Sequence, residues 1–151
     1  MKKIFIAIVL VFLISVAVWE INKITNPVYT SAGPNVVINK KLVQVETVDD
    51  FIKQTQGLSD RSSLGENNGM LFVFSDKQVR RFWMKNMKFP LDIIWIEDNA
   101  VVKIDKNLPP AGDKPTISYD SSIPVNFVLE VNAGWADKNK IKIGNLVKIN
   151  L

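Results

Sequence analysis

The stretch GMLFVFSDKQVRRFWMKNMKFPLDIIWI, residues 69–96, is rich in large apolar side chains. These side chains fall into three short runs separated by compact polar turns, which is typical of β-strands. Residues 70–74 form one apolar run, and residues 79–84 form a second strand after a turn at residues 75–78. We therefore predict that the first two runs pair as a hairpin.

The third run begins a second predicted hairpin. Pro90 lacks the N–H that a ladder of hydrogen bonds requires, so the preceding strand must end before it. Residues 93–96 are apolar on both faces, which predicts a central strand that is covered on two sides. A turn at Asp98 and Asn99 returns the chain through residues 101–104.

Upstream of this stretch, residues 43–47 alternate between apolar and polar side chains and predict a half-buried strand. A helix is predicted to follow at once, with Thr47 as its cap and Asp50 at the capping-box position. Gly57 ends the helix, because a left-handed residue after the last turn costs little without a Cβ atom. The stripe at helical spacing, which predicts the buried face, consists of Val48, Phe51, Ile52 and Thr55.

Downstream, residues 107–122 contain three prolines and one glycine and form the longest predicted loop of the domain. Residues 125–131 alternate again and predict a strand whose inner face is apolar. A short polar turn or helix then carries Trp135, before a final segment at residues 141–149. These patterns predict a mainly β domain of the α+β class, with a compact antiparallel or barrel-like sheet and one or two short helices.

Residues 1–21 predict a membrane anchor or a signal peptide, in the form of a hydrophobic helix that precedes the domain. Two lysines stand before an apolar run at residues 4–19. Trp19 favours a retained anchor because tryptophan prefers the membrane interface, whereas Ser15 and Ala17 fit a cleavage site. The lysines favour a single-pass protein of the cytoplasmic membrane with its domain outside the cytoplasm, and cleavage near Ala17 would instead give an exported protein.

Residues 22–39 mix small and polar residues with proline and lack periodicity, which predicts a flexible linker. A single globular domain is expected at residues 40–151. The chain holds 19 basic and 15 acidic residues. Residues 1–40 contain four of the basic residues and one of the acidic residues, so residues 41–151 contain 15 basic and 14 acidic residues and carry a net charge of +1. This near-neutral domain has no basic stripe, so we expect no nucleic-acid partner.

The chain contains no cysteine and no histidine. Their absence excludes thiolate nucleophiles, disulfides, imidazole bases and the usual zinc ligands. Neither a calcium-loop spacing of the acidic residues nor a glycine-rich phosphate cradle is present, so we expect no metal and no cofactor. Any catalysis would depend on carboxylates, lysine, tyrosine or serine.

Several motifs occur in an order that resembles domain-of-unknown-function family 192. The shared pieces are Gly57-Leu58, Arg61, Leu64, GMLFVF at 69–74, FWMKN at 82–86, Pro90-Leu91-Asp92, Tyr119, Pro124 and VLEVNAG at 128–134. Ser59, Met87 and Asn145 depart from the family pattern, which usually has Met, Thr and Asp there. The resemblance covers roughly residues 42–150. It implies a mainly antiparallel β domain, often found behind an export segment in bacteria, and implies no activity.

Seven polar or aromatic residues are candidates for a binding site: Arg61, Trp83, Lys85, Asn86, Asp92, Tyr119 and Glu130. Lys85 and Asn86 either face a cavity beside Trp83 or hold a turn. Asp92 enters an apolar strand, so its carboxylate needs a partner such as Arg61, Arg81 or Lys85 if it is covered.

The two remaining polar candidates have simpler expected roles. Glu130 lies on the polar side of its predicted strand and is expected to face solvent. Tyr119 lies in the proline-rich loop, where it is either a lid residue or a packing residue.

Three functions are compatible with these features. We favour a membrane-associated module outside the cytoplasm that binds a small molecule or an envelope component, because this needs no catalytic set. The second is a hydrolase of cell-envelope glycans with Asp92 and Glu130 as its carboxyl pair, which requires a separation of about 5 Å or about 6.5 to 9.5 Å. The third is a protein-interaction or assembly factor at the membrane surface, which requires an exposed apolar patch.

Overall fold

Nine strands and two short helices follow one another in the computed structural model, which describes residues 33–151. They are β1 (Asn35–Ile38), β2 (Lys41–Val48), α1 (Phe51–Gln56), β3 (Asn68–Gln78), β4 (Arg81–Phe82), β5 (Leu91–Glu97), β6 (Ala100–Leu108), β7 (Tyr119–Asp120), β8 (Val125–Asn132), α2 (Trp135–Lys138) and β9 (Val147–Asn150). The predicted anchor and the linker up to residue 32 lie outside the described residues.

Seven strands form one mixed sheet in the order β6-β5-β8-β3-β2-β1-β9. β2 and β3 are parallel, and the other neighbouring strands are antiparallel. Ala100 at the start of β6 forms a bridge with Leu146 just before β9. The sheet therefore curls until its outer strands touch, as a half-barrel, which confirms the predicted mainly β class with a barrel-like sheet and two short helices.

Both faces of the sheet are apolar. One face packs against α2, and its cluster includes Ile94, Leu129 and Trp135. The other face carries Phe72 and Trp95 and is covered by the segments that connect the strands. β5 lies between β6 and β8 with residues 91–96 all buried, which confirms the predicted strand with two covered faces and its hairpin turn at residue 98.

The predicted hairpin between the first two apolar runs is wrong. β3 continues through residues 75–78 and pairs with β2 and β8, whereas β4 spans only two residues and pairs with β7. The uninterrupted apolar run of β3 fits an interior strand that has neighbours on both sides. The polar residues that looked like a turn are the exposed end of this long strand.

The start of the domain and the helix also differ from the prediction. β1 lies within the predicted linker, because Val36 and Ile38 complete the core of the sheet. Asp50, and not Thr47, caps α1 by accepting a hydrogen bond of 2.9 Å from the N–H of Lys53. Gly57 ends the helix as predicted, with φ at +52°.

The predicted buried stripe of α1 is wrong, because the helix buries none of its residues. Phe51 and Ile52 are 82% and 77% exposed. Gln54 faces the sheet instead, and its Nε2 donates to the carbonyl oxygen of Val73 at 2.9 Å. The helix is thus joined to β3 by a hydrogen bond, and its large apolar side chains remain at the surface.

Candidate ligand pocket

A pocket of about 420 Å³ opens between α1 and the chain that follows β3. This volume lies within the range of small-molecule sites in proteins. Five aromatic side chains give the walls their mainly apolar character: Phe51, Phe72, Phe74, Phe82 and Trp83. Phe82 meets the ring of Phe72 edge to face, with 4.7 Å between ring centroids, so the inner wall is firmly packed.

Glu130 is the only acidic residue in the pocket lining, and it is buried, with 5% of its surface exposed. It lies in β8 opposite Met70 of β3, so its side chain shares the face of the sheet that carries Phe72. Its Oε2 atom has no hydrogen-bond partner in the described part of the chain. Burial raises the pKa of the Glu130 carboxyl from its usual 4.5 to about 8. The group is therefore mainly protonated and uncharged at neutral pH.

Gly57 keeps the space above this carboxyl open. A Cβ atom at this position would lie 3.9 Å from the Oε2 atom of Glu130 and 3.3 Å from the Cζ atom of Phe72. The positive φ of Gly57 also disfavours any side chain. The residue that ends α1 is thus also the one that leaves room beside the buried acid.

The opposite end of the pocket is formed by two arginines. Arg80 lies 3.9 Å from the ring centroid of Phe74 and pairs with the carboxylate of Asp76. The Nε atom of Arg80 is buried without an acceptor in the described residues. Arg81 is exposed, lines the same pocket and forms no ion pair within residues 33–151.

Among the seven predicted site residues, the pocket lining includes Trp83 and Glu130. Trp83 stands at the mouth, 48% exposed. The prediction that Glu130 faces solvent is wrong. Its strand is covered on both faces, so the polar side of the alternating pattern is also inside the protein.

The structure places the other five predicted residues outside this pocket: Arg61, Lys85, Asn86, Asp92 and Tyr119. Arg61 forms an ion pair of 2.7 Å with Glu46 at the surface. Tyr119 pairs with Phe82 in the small sheet and packs against the core, as a packing residue would. The carbonyl oxygen of Lys85 accepts a hydrogen bond from Ser59, and Asn86 has φ at +52° in a turn.

Asp92 is fully buried, but none of the expected basic residues is its partner. Its Oδ1 atom accepts hydrogen bonds from the N–H groups of Asn107 at 2.8 Å and Gly134 at 3.1 Å. Its Oδ2 atom accepts from the N–H of Ala136 at 2.9 Å. The carboxyl group therefore joins the end of β6 to the start of α2, and both of its oxygens are occupied.

The hydrolase hypothesis is contradicted by the register of β5 and β8. Asp92 is paired with Val131, and paired residues share a face of the sheet. Glu130 precedes Val131 and therefore points to the other face. The two carboxyl groups are separated by the sheet and cannot act on one glycosidic bond.

Sequence patterns missed most of the pocket. Phe51 had been assigned to a buried face, and Gly57 only to a helix end. Arg80 belonged to the strand predicted at residues 79–84, of which only Arg81 and Phe82 form a strand. The one usable signal was Glu130 within a run of otherwise apolar residues, since a carboxyl group in such a run requires a partner or a proton when both faces are covered.

Searches for a metal site and for a membrane-spanning helix were negative within residues 33–151. No group of three or more acidic residues in this range is placed to hold a metal ion. No helix in the same range is long and apolar enough to span a membrane.

The curled half-barrel and its pocket define the chain as a small β domain with an aromatic-lined cavity. The chain belongs to DUF192, a family described as Uncharacterized ACR, whose model matches residues 34–149. This membership confirms the resemblance found in the sequence.

Three chains of solved structures match this chain, and no curated protein matches it. A Sinorhizobium meliloti 1021 protein, described as a candidate transcription regulator, is 27% identical with a TM-score of 0.70, covering 80% of this chain and 98% of the other. A Novosphingobium aromaticivorans DSM 12444 protein of unknown function is 30% identical with a TM-score of 0.69, covering 82% of this chain and 89% of the other.

Proposed function

We propose that this domain binds a small, mainly apolar molecule in the pocket, with Glu130 as the polar contact of the ligand. The observation that carries this proposal is the buried Glu130, which lines the aromatic pocket and whose Oε2 atom has no hydrogen-bond partner within residues 33–151. A buried polar group without a partner costs about 1 to 3 kcal/mol. A ligand that supplies the missing hydrogen bond would recover this free energy on binding.

The protonation state of Glu130 selects the polar group of the ligand. A protonated carboxyl donates one hydrogen bond and accepts others, so it pairs with a neutral hydroxyl, carbonyl or amide group. An ammonium group would first require the carboxyl to ionise, and the desolvation of both charges opposes the formation of a buried ion pair. The pocket therefore favours a neutral group at this end.

The site of action is proposed to be the outer face of the cytoplasmic membrane. The apolar run at residues 4–19, the two lysines before it and the following linker support this location. Cleavage near Ala17 would give an exported domain with the same pocket. Accessibility of an epitope tag at residue 151 to protease in intact cells tests the orientation, since a domain in the cytoplasm would be protected.

A thermal-shift screen of the detergent-solubilised full chain tests the binding proposal. Small apolar compounds and cell-wall fragments are tested on the wild type, on Glu130→Leu and on Glu97→Gln, a control outside the pocket. A ligand at 100 times its Kd stabilises the folded state by about 2.7 kcal/mol. We expect hits that raise the Tm of the wild type and the control but raise that of Glu130→Leu much less. A screen without hits would contradict the proposal. Hits that raise the Tm of Glu130→Leu as much as that of the wild type would also contradict it.

A second candidate function is a surface contact with another protein, because α1 exposes Phe51 and Ile52 beside the pocket mouth. Replacement of both by Ser should abolish such a contact. The matched control replaces Ile143 and Leu146, which are also exposed but lie outside the pocket lining. Site-specific photocrosslinking from residue 52 in cells, compared with residue 146, distinguishes a partner at this surface from general adhesion.

A further inference from the structure

We infer that the ligand is an elongated, mainly apolar monoanion, with its anionic oxygen group at the Arg80 and Arg81 end and a neutral hydrogen-bonding group at Glu130. This inference rests on the proposed function and specifies the chemistry of the ligand at the second end of the pocket. It follows from the position, the charge and the unused hydrogen-bonding capacity of the lining residues.

The two polar ends are separated along the sheet. Glu130 pairs with Met70, whereas Gln78, two residues before Arg80, pairs with Val125. The backbone positions of Val125 and Glu130 are five residues apart in β8, which corresponds to about 17 Å at about 3.3 Å per residue. The guanidinium group of Arg80 reaches back over Phe74, so the two polar ends are closer to each other than these backbone positions. Both side chains nevertheless line one pocket. A ligand that reaches both ends must therefore be elongated.

The wall between the two ends is aromatic. Phe72 lies near Glu130, and Phe74 lies under the guanidinium group of Arg80. Phe82 packs edge to face on Phe72, and together these rings offer no polar side-chain atom. The middle of the ligand is therefore apolar, and an aromatic ring fits because rings pack well against such walls.

The charges of the lining favour a single negative group. Among the described residues that line the pocket, Arg80, Arg81 and Glu130 are the ones with ionisable side chains. Asp76 neutralises Arg80, and the buried Glu130 is uncharged at neutral pH, so Arg81 leaves an excess of one positive charge. The Nε–H of Arg80 adds a buried donor without an acceptor. Both arginines can thus donate to one carboxylate, which is the charge-assisted pairing that arginine favours.

The simplest compound class that meets these conditions is a hydroxyaryl carboxylate. A phenol group would exchange hydrogen bonds with the protonated Glu130, and a short arm would carry the carboxylate to the arginines. The probe is 4-hydroxyphenylpropionate. Its comparison compounds are phenylpropionate, which lacks the hydroxyl, 4-hydroxyphenylpropanol, which lacks the charge, and tyramine, which carries a positive charge instead.

Titration calorimetry with the full chain in detergent tests the inference. We expect 4-hydroxyphenylpropionate to bind about tenfold or more tightly than each comparison compound, because phenylpropionate leaves the buried Glu130 carboxyl unpaired and the other two compounds lack the carboxylate that the arginines would bind. Arg81→Gln should remove the preference for the carboxylate over the alcohol. Glu130→Leu should remove the preference for the hydroxylated acid over phenylpropionate. Arg61→Gln, an exposed arginine outside the pocket, should change neither.

The outcomes separate this inference from the proposed function. If the neutral alcohol binds as tightly as the acid, and Glu130→Leu weakens both, the pocket function stands and the monoanion is wrong. If tyramine binds best, the inferred charge is wrong in sign. If none of the four compounds binds while the broader screen yields hits that depend on Glu130, the ligand class is wrong. If neither the titration nor the thermal-shift screen detects binding, the inference and the proposed function are both wrong.

Discussion

Asp92 and Glu130 point to opposite faces of the same sheet, although they lie on adjacent strands and are both buried. Asp92 accepts three hydrogen bonds from backbone N–H groups, whereas the Oε2 atom of Glu130 accepts none from the described residues. One carboxyl group therefore joins two segments of the fold, whereas the other keeps unused hydrogen-bonding capacity. Substitutions at the two positions should have opposite consequences.

Asp92→Asn should destabilise the domain. The amide NH₂ group cannot accept hydrogen bonds, so at least one of the N–H groups of Asn107, Gly134 and Ala136 loses its partner and the others lose a charged acceptor. We expect a loss of about 2 to 3 kcal/mol in the free energy of unfolding, measured by urea denaturation. Asp113→Asn in the exposed loop is the control and should change it by less than about 0.5 kcal/mol.

Glu130→Gln should make folding less dependent on pH. The unfolded carboxyl ionises near pH 4.5, whereas burial keeps the folded one protonated up to about pH 8. The stabilising contribution of the proton is thus complete below pH 4.5 and is lost as the pH rises toward 8, by at most about 1.4 kcal/mol per pH unit. Glutamine does not titrate, so the variant should gain stability relative to the wild type between pH 5 and pH 7.

Urea denaturation of both proteins at several pH values measures this difference. The two proteins share all other titrating groups, so the difference between their free energies of unfolding at each pH reports on residue 130 alone. Parallel stability curves across pH 5 to 8 would show that Glu130 ionises normally in the folded protein. The charge and binding arguments for the pocket would then lose their basis.

Gly57→Ala should weaken both the fold and the pocket. Its φ of +52° is strained for alanine, which costs about 1 kcal/mol, and the new Cβ would press on Phe72 at 3.3 Å. The methyl group would also narrow the space beside Glu130. Gly112→Ala is the control because a Cβ there meets no atom within 4 Å. Equal melting temperatures for the two variants would contradict the expected strain.

Gln54→Ala should loosen α1 from the sheet. The side-chain hydrogen bond from Gln54 to Val73 is lost, and its removal should cost about 1 kcal/mol. Amide hydrogen exchange should then accelerate in residues 51–56 while the sheet retains its protection. Gln56→Ala, on an exposed neighbour in the same helix, provides the comparison. Unchanged exchange in α1 would show that other contacts hold the helix.

The sequence was sufficient for the class of fold and for the local elements that depend on near neighbours. Residues 93–96 are apolar on both faces, and this pattern alone predicted a strand covered on two sides. Gly57 and the turn at residue 98 were predicted correctly, because helix ends and tight hairpins depend on local backbone conformation. The order of family motifs also identified the family correctly.

Only the tertiary structure decided which strands pair and which polar groups are enclosed. Alternation in residues 125–131 predicts two faces, but it does not say whether the second face meets water, and here Glu130 is buried beside Phe72 and Gly57. Phe51 shows the opposite error, since it was predicted to be buried and is exposed. Helical spacing of apolar residues does not by itself pack a helix against a core. Sequence periodicity reports side-chain direction relative to the local axis, and burial depends on which distant segments pack over that direction.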